Sequence, residues 1–242
     1  TYGIAEDIIR ELGRTGNLYW RRKLNTIMYD EVALARWIEE SMRAAGVRVL
    51  TGAILRGVRR EGRRIRALEL ATRYGDVLLS ATGFVDATGD AALAWHAGLP
   101  CREPAEGTVY GSQVVVLEGI DEANYPTDEE LISRLKEKAE EYGFVRRDGL
   151  AIVFPGRGTA LLNMTHVETP LEPIAAAEKA LEGKVQADRT VEFLRNEFPR
   201  AFRNARVRSY GFPGVRQTRW IVGRQQLTVE DVRAGTRFAD AV

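Results

Sequence analysis

The sequence predicts an α/β fold followed by an α+β part: a parallel sheet with a small antiparallel insertion, leading into a second domain. Three observations carry this. A helix, a strand, a charged meander and a further strand follow one another between Asp30 and Ala87. The last apolar run, from Gly83, then turns through Asp86-Ala87-Thr88-Gly89-Asp90 into a helix of small residues, the strand–turn–helix order of α/β proteins. After Pro100 the pattern changes to a capped helix, a strand pair and a long amphipathic helix.

In chain order, Asp30 is placed to cap a helix running to about Ala45, with Val32, Ala35, Ile38, Met42 and Ala45 on one face and Gly46 as its stop. Val47–Leu50 reads as a strand. Ile54–Val58, Ile65–Leu70 and Val77–Leu79 read as a meander, with the charged turn Arg60-Glu61-Gly62-Arg63 between its first two strands. Beyond Pro100, Gln113–Leu117 is a β-branched strand. Thr127 and Glu130 form a capping box for a helix reaching Tyr142, and Gly143 ends it. Ala151–Phe154 and Thr159–Met164 pair across Pro155-Gly156-Arg157-Gly158. Ile174, Ala177, Leu181, Val185, Asp188, Val191 and Leu194 mark one face of a long helix, followed by Pro199. Val215–Val222 reads as a strand, and Thr228 caps a last short helix.

The bulk numbers exclude whole classes. Lys and Arg total 35 against 34 Asp and Glu, so the net charge of +1 leaves no electrostatic footprint for nucleic acid or an anionic membrane. No run approaches the ~18 apolar residues of a membrane segment. Cys101 is the only cysteine and His96 and His166 the only histidines, which rules out an intrachain disulfide and a Cys-x-x-Cys metal or redox site. The expected location is cytoplasmic. The start, Thr1-Tyr2-Gly3-Ile4, has no signal-peptide pattern and no initiator Met, and the chain is expected to be an excised piece.

Three constellations carry chemistry. At Gly89 a backbone without Cβ can press close to a ligand, and amides at a helix start attract phosphate. Arg216 and Arg219, in Gly214-Val215-Arg216-Gln217-Thr218-Arg219-Trp220, offer guanidinium groups for a carboxylate or phosphate. Read as a strand, that segment puts Arg216 and Thr218 on one side and Gln217 and Arg219 on the other; ordinary surface ion pairs are the competing reading. His166, in Asn163-Met164-Thr165-His166, suits a proton donor or an anion ligand, and equally a satisfied structural histidine.

These blocks, in this order, resemble the central part of the FAD-dependent oxidoreductases related to fumarate reductase and succinate dehydrogenase flavoproteins. The blocks are Glu31–Thr51 with its meander, Phe84–Ala94 with Ala97-Gly98, and Val215–Gly223 followed by Leu227–Val232 and Arg237–Ala241. The resemblance implies a partial Rossmann-like FAD-binding domain over 1–102, a substrate (cap) domain over 103–212 and a return segment over 213–242. It implies that Asp86, Thr88, Gly89 and Asp90 lie near the ADP part of FAD, that Ala53 and Ile54 offer backbone groups to the adenine, and that Arg216 and Arg219 stand near the flavin ring or substrate. At 163–166 the family pattern points to Asn163 more than to a histidine. The implied reaction is hydride exchange between a small anionic substrate and the flavin.

A Gly-x-Gly-x-x-Gly strand–helix opening is absent, and Gly156-Arg157-Gly158 lacks the third glycine. The family's C-terminal FAD-contacting segment is absent too. The chain alone is therefore expected to bind FAD weakly or not at all, to be inactive, and to expose edges that favour a homo-oligomer or a complementary chain. The alternative is a non-enzymatic anion- or nucleotide-binding module completed by another chain.

Overall fold

The structure, a computed structural model, describes residues 3–21, 26–103, 109–216 and 218–239. Its elements, in chain order, are α1 (Ile4–Arg14), β1 (Leu18–Arg21), β2 (Thr26–Tyr29), α2 (Glu31–Ala44), β3 (Ile54–Glu61), β4 (Arg64–Thr72), β5 (Gly75–Ser80), α3 (Ala92–His96) and β6 (Cys101–Arg102). They continue with β7 (Val115–Glu118), α4 (Asp128–Lys138), β8 (Leu150–Phe154), β9 (Thr159–Asn163), α5 (Pro173–Glu197), α6 (Pro199–Phe202), β10 (Arg206–Tyr210), β11 (Trp220–Ile221) and α7 (Val229–Ala234). Contacts divide the chain into two compact units. One contains residues 1–50 and 106–216, the other residues 51–105 and 217–242.

The larger unit is built on an antiparallel sheet of order β10-β7-β9-β8. Val115 and Leu117 of β7, Ala160 and Leu162 of β9 and Ala151 of β8 are buried, whereas Leu161 between them is exposed, the period-2 signature of a sheet covered on one face. Leu131 and Leu135 of α4 and Phe193, Leu194 and Phe202 of α5 and α6 complete that core. Phe193 is its aromatic hub, edge-on to Tyr142, Phe144 and Phe198 at 5.4, 5.4 and 5.9 Å between ring centroids. Arg21 of β1 pairs with Asp128 at the start of α4.

The smaller unit holds the meander β3-β4-β5 and the short pair β6-β11. Its buried apolar residues are few: Ala67 on β4, and Leu93, Ala94 and Ala97 around α3. α3 packs against β3, where Arg60 donates to the Ala97 carbonyl. Val77, Leu78 and Leu79 of β5 are exposed.

Local signals hold well. Asp30 accepts from the Ala33 amide at the start of α2, and both Thr127 with Glu130 and Thr228 with Asp231 form capping boxes. The meander and the β8–β9 hairpin lie where expected. Longer-range expectations need correction. Every strand pair among the described residues is antiparallel, so the expected parallel sheet is not among them. Residues 47–50 and 83–87 have no strand partner there and are irregular. The strand expected over Val215–Val222 is realised only at Trp220–Ile221, and Gln217 lies outside the described residues. α4 stops at Lys138 rather than at Tyr142. On α5 the buried side runs through Gly183, Gln186, Ala187, Thr190, Val191 and Leu194, and Ile174, Leu181 and Val185 of the expected stripe are exposed. On α2 likewise Val32, Ile38 and Met42 are exposed, and Leu34 and Trp37 are half-buried instead. Among the described residues no helix is long and apolar enough to cross a membrane.

Phe193 contributes no exposed surface and anchors three aromatic neighbours, so Phe193→Ala should cost about 3–5 kcal/mol. Urea unfolding followed by far-UV circular dichroism measures this, and a cost under about 1 kcal/mol contradicts the core as described.

Candidate functional site

In the larger unit the polar residues gather where β7 and β9 run out of regular pairing. The bridge Gly111↔Val167 extends the β7–β9 ladder beyond their ends and brings Ser112 beside His166. Thr165, buried between them in sequence, ties the two segments together: its hydroxyl accepts from the Gln113 amide at 2.8 Å and donates to the Gln113 carbonyl at 3.1 Å. The His166 amide donates to the Gln186 side chain on α5 at 3.2 Å, and its ring stacks on Tyr110 at 5.2 Å with a 10° interplanar angle. The ring is thus held by both its backbone and its face.

Two close backbone approaches bring arginines to this histidine. At Gly111 a Cβ would stand 2.9 Å from the Gly214 carbonyl oxygen and 2.8 Å from the Thr169 methyl. Only glycine lets the 211–216 segment lie this close. The Gly214 amide donates to the Ser112 carbonyl at 2.8 Å, and Arg216, two residues on, donates to the buried Ser112 hydroxyl at 3.4 Å. At Gly149 a Cβ would stand 2.6 Å from Met164 Cα, so the segment ahead of β8 lies directly on the Asn163–His166 stretch. That contact delivers Arg146, whose Nη1 donates to Asn163 Oδ1 at 2.8 Å and whose Nε donates to Asp148 at 2.7 Å.

The electrostatics follow from this company. Burial lowers the His166 pKa below its ordinary 6.5, Arg146 and Arg216 lower it further, and Asp148 works the other way. At pH 7 the imidazole is neutral, with one nitrogen able to accept a proton. Asp148 is held below its ordinary range, chiefly by its hydrogen bond from Arg146.

In the smaller unit the Asp86–Asp90 turn is organised by its own side chains. Asp86 accepts from the Thr88 hydroxyl at 2.7 Å and from the amides of Thr88 and Ala94 at 3.1 and 3.2 Å. The Thr88 hydroxyl oxygen accepts from the amides of Asp90 and Ala92, each at 3.2 Å. Burial pushes the Asp86 pKa up, but these hydrogen bonds outweigh it and leave the carboxyl below its ordinary 3.8. The expectation of free amides at the helix start is therefore not met at Ala92 and Ala94, whose donors already have acceptors. Gly89 sits at φ 77° with open space where a Cβ would be. Thr218 donates to Asp90, and beside it the Arg219 guanidinium lies over the Trp95 ring at 4.8 Å. Arg219 Nε is buried and has no hydrogen-bond partner among the described residues. Ile54 heads β3, opposite Ala71, and its side chain is exposed; Ala53 precedes it.

The sequence matches the FAD dependent oxidoreductase family over residues 1–242. The chain belongs to that family. No curated protein matches it. Family membership supports a flavin-linked redox role and implies FAD binding in the family. The residues present fit such a cofactor in two respects: an unmet buried donor on a cation at Arg219, and an open approach to the backbone at Gly89. Gly156 and Gly158 do not compete for it, because their amides donate to the Glu122 carboxylate at 2.8 and 2.6 Å.

Of the residues expected from sequence, Arg216 and His166 come together in the larger unit, whereas Arg219 joins Asp90 and Thr218 in the smaller one. Arg146 and Tyr110 were not anticipated. A sequence signal for Arg146 exists only in hindsight, in Arg146-Arg147-Asp148-Gly149, a glycine immediately ahead of a strand.

His166 favours the neutral form when folded, so the unfolded chain binds more protons between the folded pKa and about 6.5. Its contribution is present above about pH 6.5 and is lost as pH falls. In His166→Phe, urea midpoints measured between pH 7.5 and 5 should fall less steeply than in the natural chain; equal slopes contradict the assignment. Gly149→Ala should cost about 1–3 kcal/mol in the same assay, because the added methyl meets Met164 backbone.

Proposed function

We propose that the chain forms part of an FAD-dependent oxidoreductase, of the fumarate reductase and succinate dehydrogenase flavoprotein kind, acting on a small anionic substrate. The observation that carries this beyond family membership is the delivery of Arg146 and Arg216 to a neutral His166. Arg216 holds the substrate's anionic group, and His166 accepts or returns a proton at a ring nitrogen. Tyr110 keeps the imidazole in place from its face.

The remaining parts support the cofactor half of the reading. The Asp86–Asp90 turn presents its Gly89 backbone to the ADP part of FAD, with the Asp86, Thr88 and Asp90 side chains shaping the turn. Ala53 and Ile54 offer backbone groups to the adenine. Arg219, fixed on Trp95, supplies its unmet donor to an anionic part of the cofactor. When bound, FAD accepts or donates the hydride; the side chains orient and tune. In domain terms, 1–102 is a partial Rossmann-like FAD-binding domain, 103–212 a substrate domain and 213–242 the return segment. The exposed Val77, Leu78 and Leu79 support association with a second copy or a complementary chain.

Binding is weak in this reading, so an equilibrium measurement is the right test. FAD fluorescence titrated with the chain should change saturably, and Arg219→Ala should weaken the effect about tenfold, the loss expected for a charge-assisted hydrogen bond. No saturable change overturns the reading. Retention of absorbance near about 450 nm, the flavin's own band, after desalting overturns the weak-binding part alone.

A further inference from the structure

We propose that Arg146 is a second ligand-binding residue at the His166 face, that it grips a singly charged carboxylate together with Arg216, and that Asp148 and Asn163 are its positioning residues. The inference rests on the anionic-substrate reading above and deepens it.

Arg146 is only half-exposed, and two of its nitrogens are already committed. Nε is held by Asp148 at 2.7 Å and Nη1 by Asn163 at 2.8 Å. A guanidinium fixed at two points presents its remaining amino group in a set direction, and no hydrogen bond occupies that group among the described residues. Asn163 lies three residues before His166 on one continuous stretch, and Ser112, opposite His166, carries Arg216. The two guanidinium groups therefore reach one histidine from two separate segments, each placed by a glycine contact.

Charge selects the ligand. The groups around His166 are Arg146 and Asp148 from the segment before β8, Arg216 from the segment after β10, the Tyr110 ring, and on α5 Gln186, which reaches Glu182. Glu182 is balanced by Lys179, and Asp148 balances Arg146. With the imidazole neutral, one uncompensated positive charge remains, on Arg216. A carboxylate matches that count, and its two oxygens suit two guanidinium donors. A phosphate dianion brings one charge too many.

The test is an NMR titration of the His166 ring resonances at pH 7.5 and constant ionic strength, with sodium acetate and sodium phosphate as separate probes. Acetate should shift them saturably and bind more tightly than phosphate. Arg146→Gln should weaken acetate about tenfold. Asp148→Asn, which adds a net positive charge without touching the ligand, should reverse the preference toward phosphate, an effect no merely structural role of Arg146 produces. Backbone amide spectra establish that each variant folds; should Arg146→Gln not fold, Asp148→Asn alone decides. An unchanged acetate affinity in Arg146→Gln, or an unchanged preference in Asp148→Asn, overturns the proposal. If Arg216→Gln loses acetate while Arg146→Gln does not, the anionic-substrate reading stands and the role of Arg146 falls. If acetate causes no shift in the natural chain, both fall.

Discussion

Backbone touching backbone at Gly111 and Gly149 is the constraint on which the larger unit's polar face depends. Long cationic side chains cannot be placed by their own rotamers, because each costs up to ~2 kcal/mol of entropy to order. Here the placement is done by the main chain. The 211–216 segment is pressed onto Gly111, the 146–149 segment onto Met164, and the arginines need only extend to a nearby hydroxyl or amide. The same strand ends are pinned from the other side by Thr165 and by the docking of α5 at Gln186. Histidine, arginine and serine therefore inherit the rigidity of the sheet although none of them lies within it.

The Asp86–Asp90 turn solves a related problem with opposite means. It has little core beneath it, so its shape is maintained by side chains that bond their own backbone. Asp86 spans the turn to Ala94, and Thr88 bonds forward to Asp90 and Ala92. Those polar groups are then no longer available to a ligand. What the turn can present outward is its backbone at Gly89 and, from the neighbouring segment, the arginine stacked on Trp95.

Much of this was legible in the sequence wherever the physics is local. Asp30, Thr127 and Thr228 satisfy amides two or three residues away, and hairpin turns join strands that are neighbours in the chain. The helix faces were not legible. α5 has apolar residues on more than one side, and the choice of buried side belongs to Phe193 and its aromatic partners, which periodicity does not rank. Strands expected at 47–50 and 83–87 failed because a strand needs a partner, and propensity says nothing about partners. At the site, Arg216 and His166 were visible as residue types beside glycines or strand ends. Arg146 was not, because its importance comes from a contact between Gly149 and Met164 that no window along the chain contains. Arg219 was visible, yet its separation from Arg216 was not: each is bonded within a different unit.

The interleaving of the two units has a temporal side. The segment 106–216 is inserted between the parts of the smaller unit. Arg102 and its hydrogen-bond partner Gln226 are 124 positions apart. At a ribosomal rate of about 5–20 residues per second, Arg102 waits roughly 6–25 s for that partner. During this interval β6 is an unpaired edge and the meander lacks its final companions, while the sheet of the larger unit can already close. Nascent chains therefore pass through a stage in which one half is finished and the other is a sticky strand edge. The vulnerability of this protein to misassembly is greatest during its own synthesis.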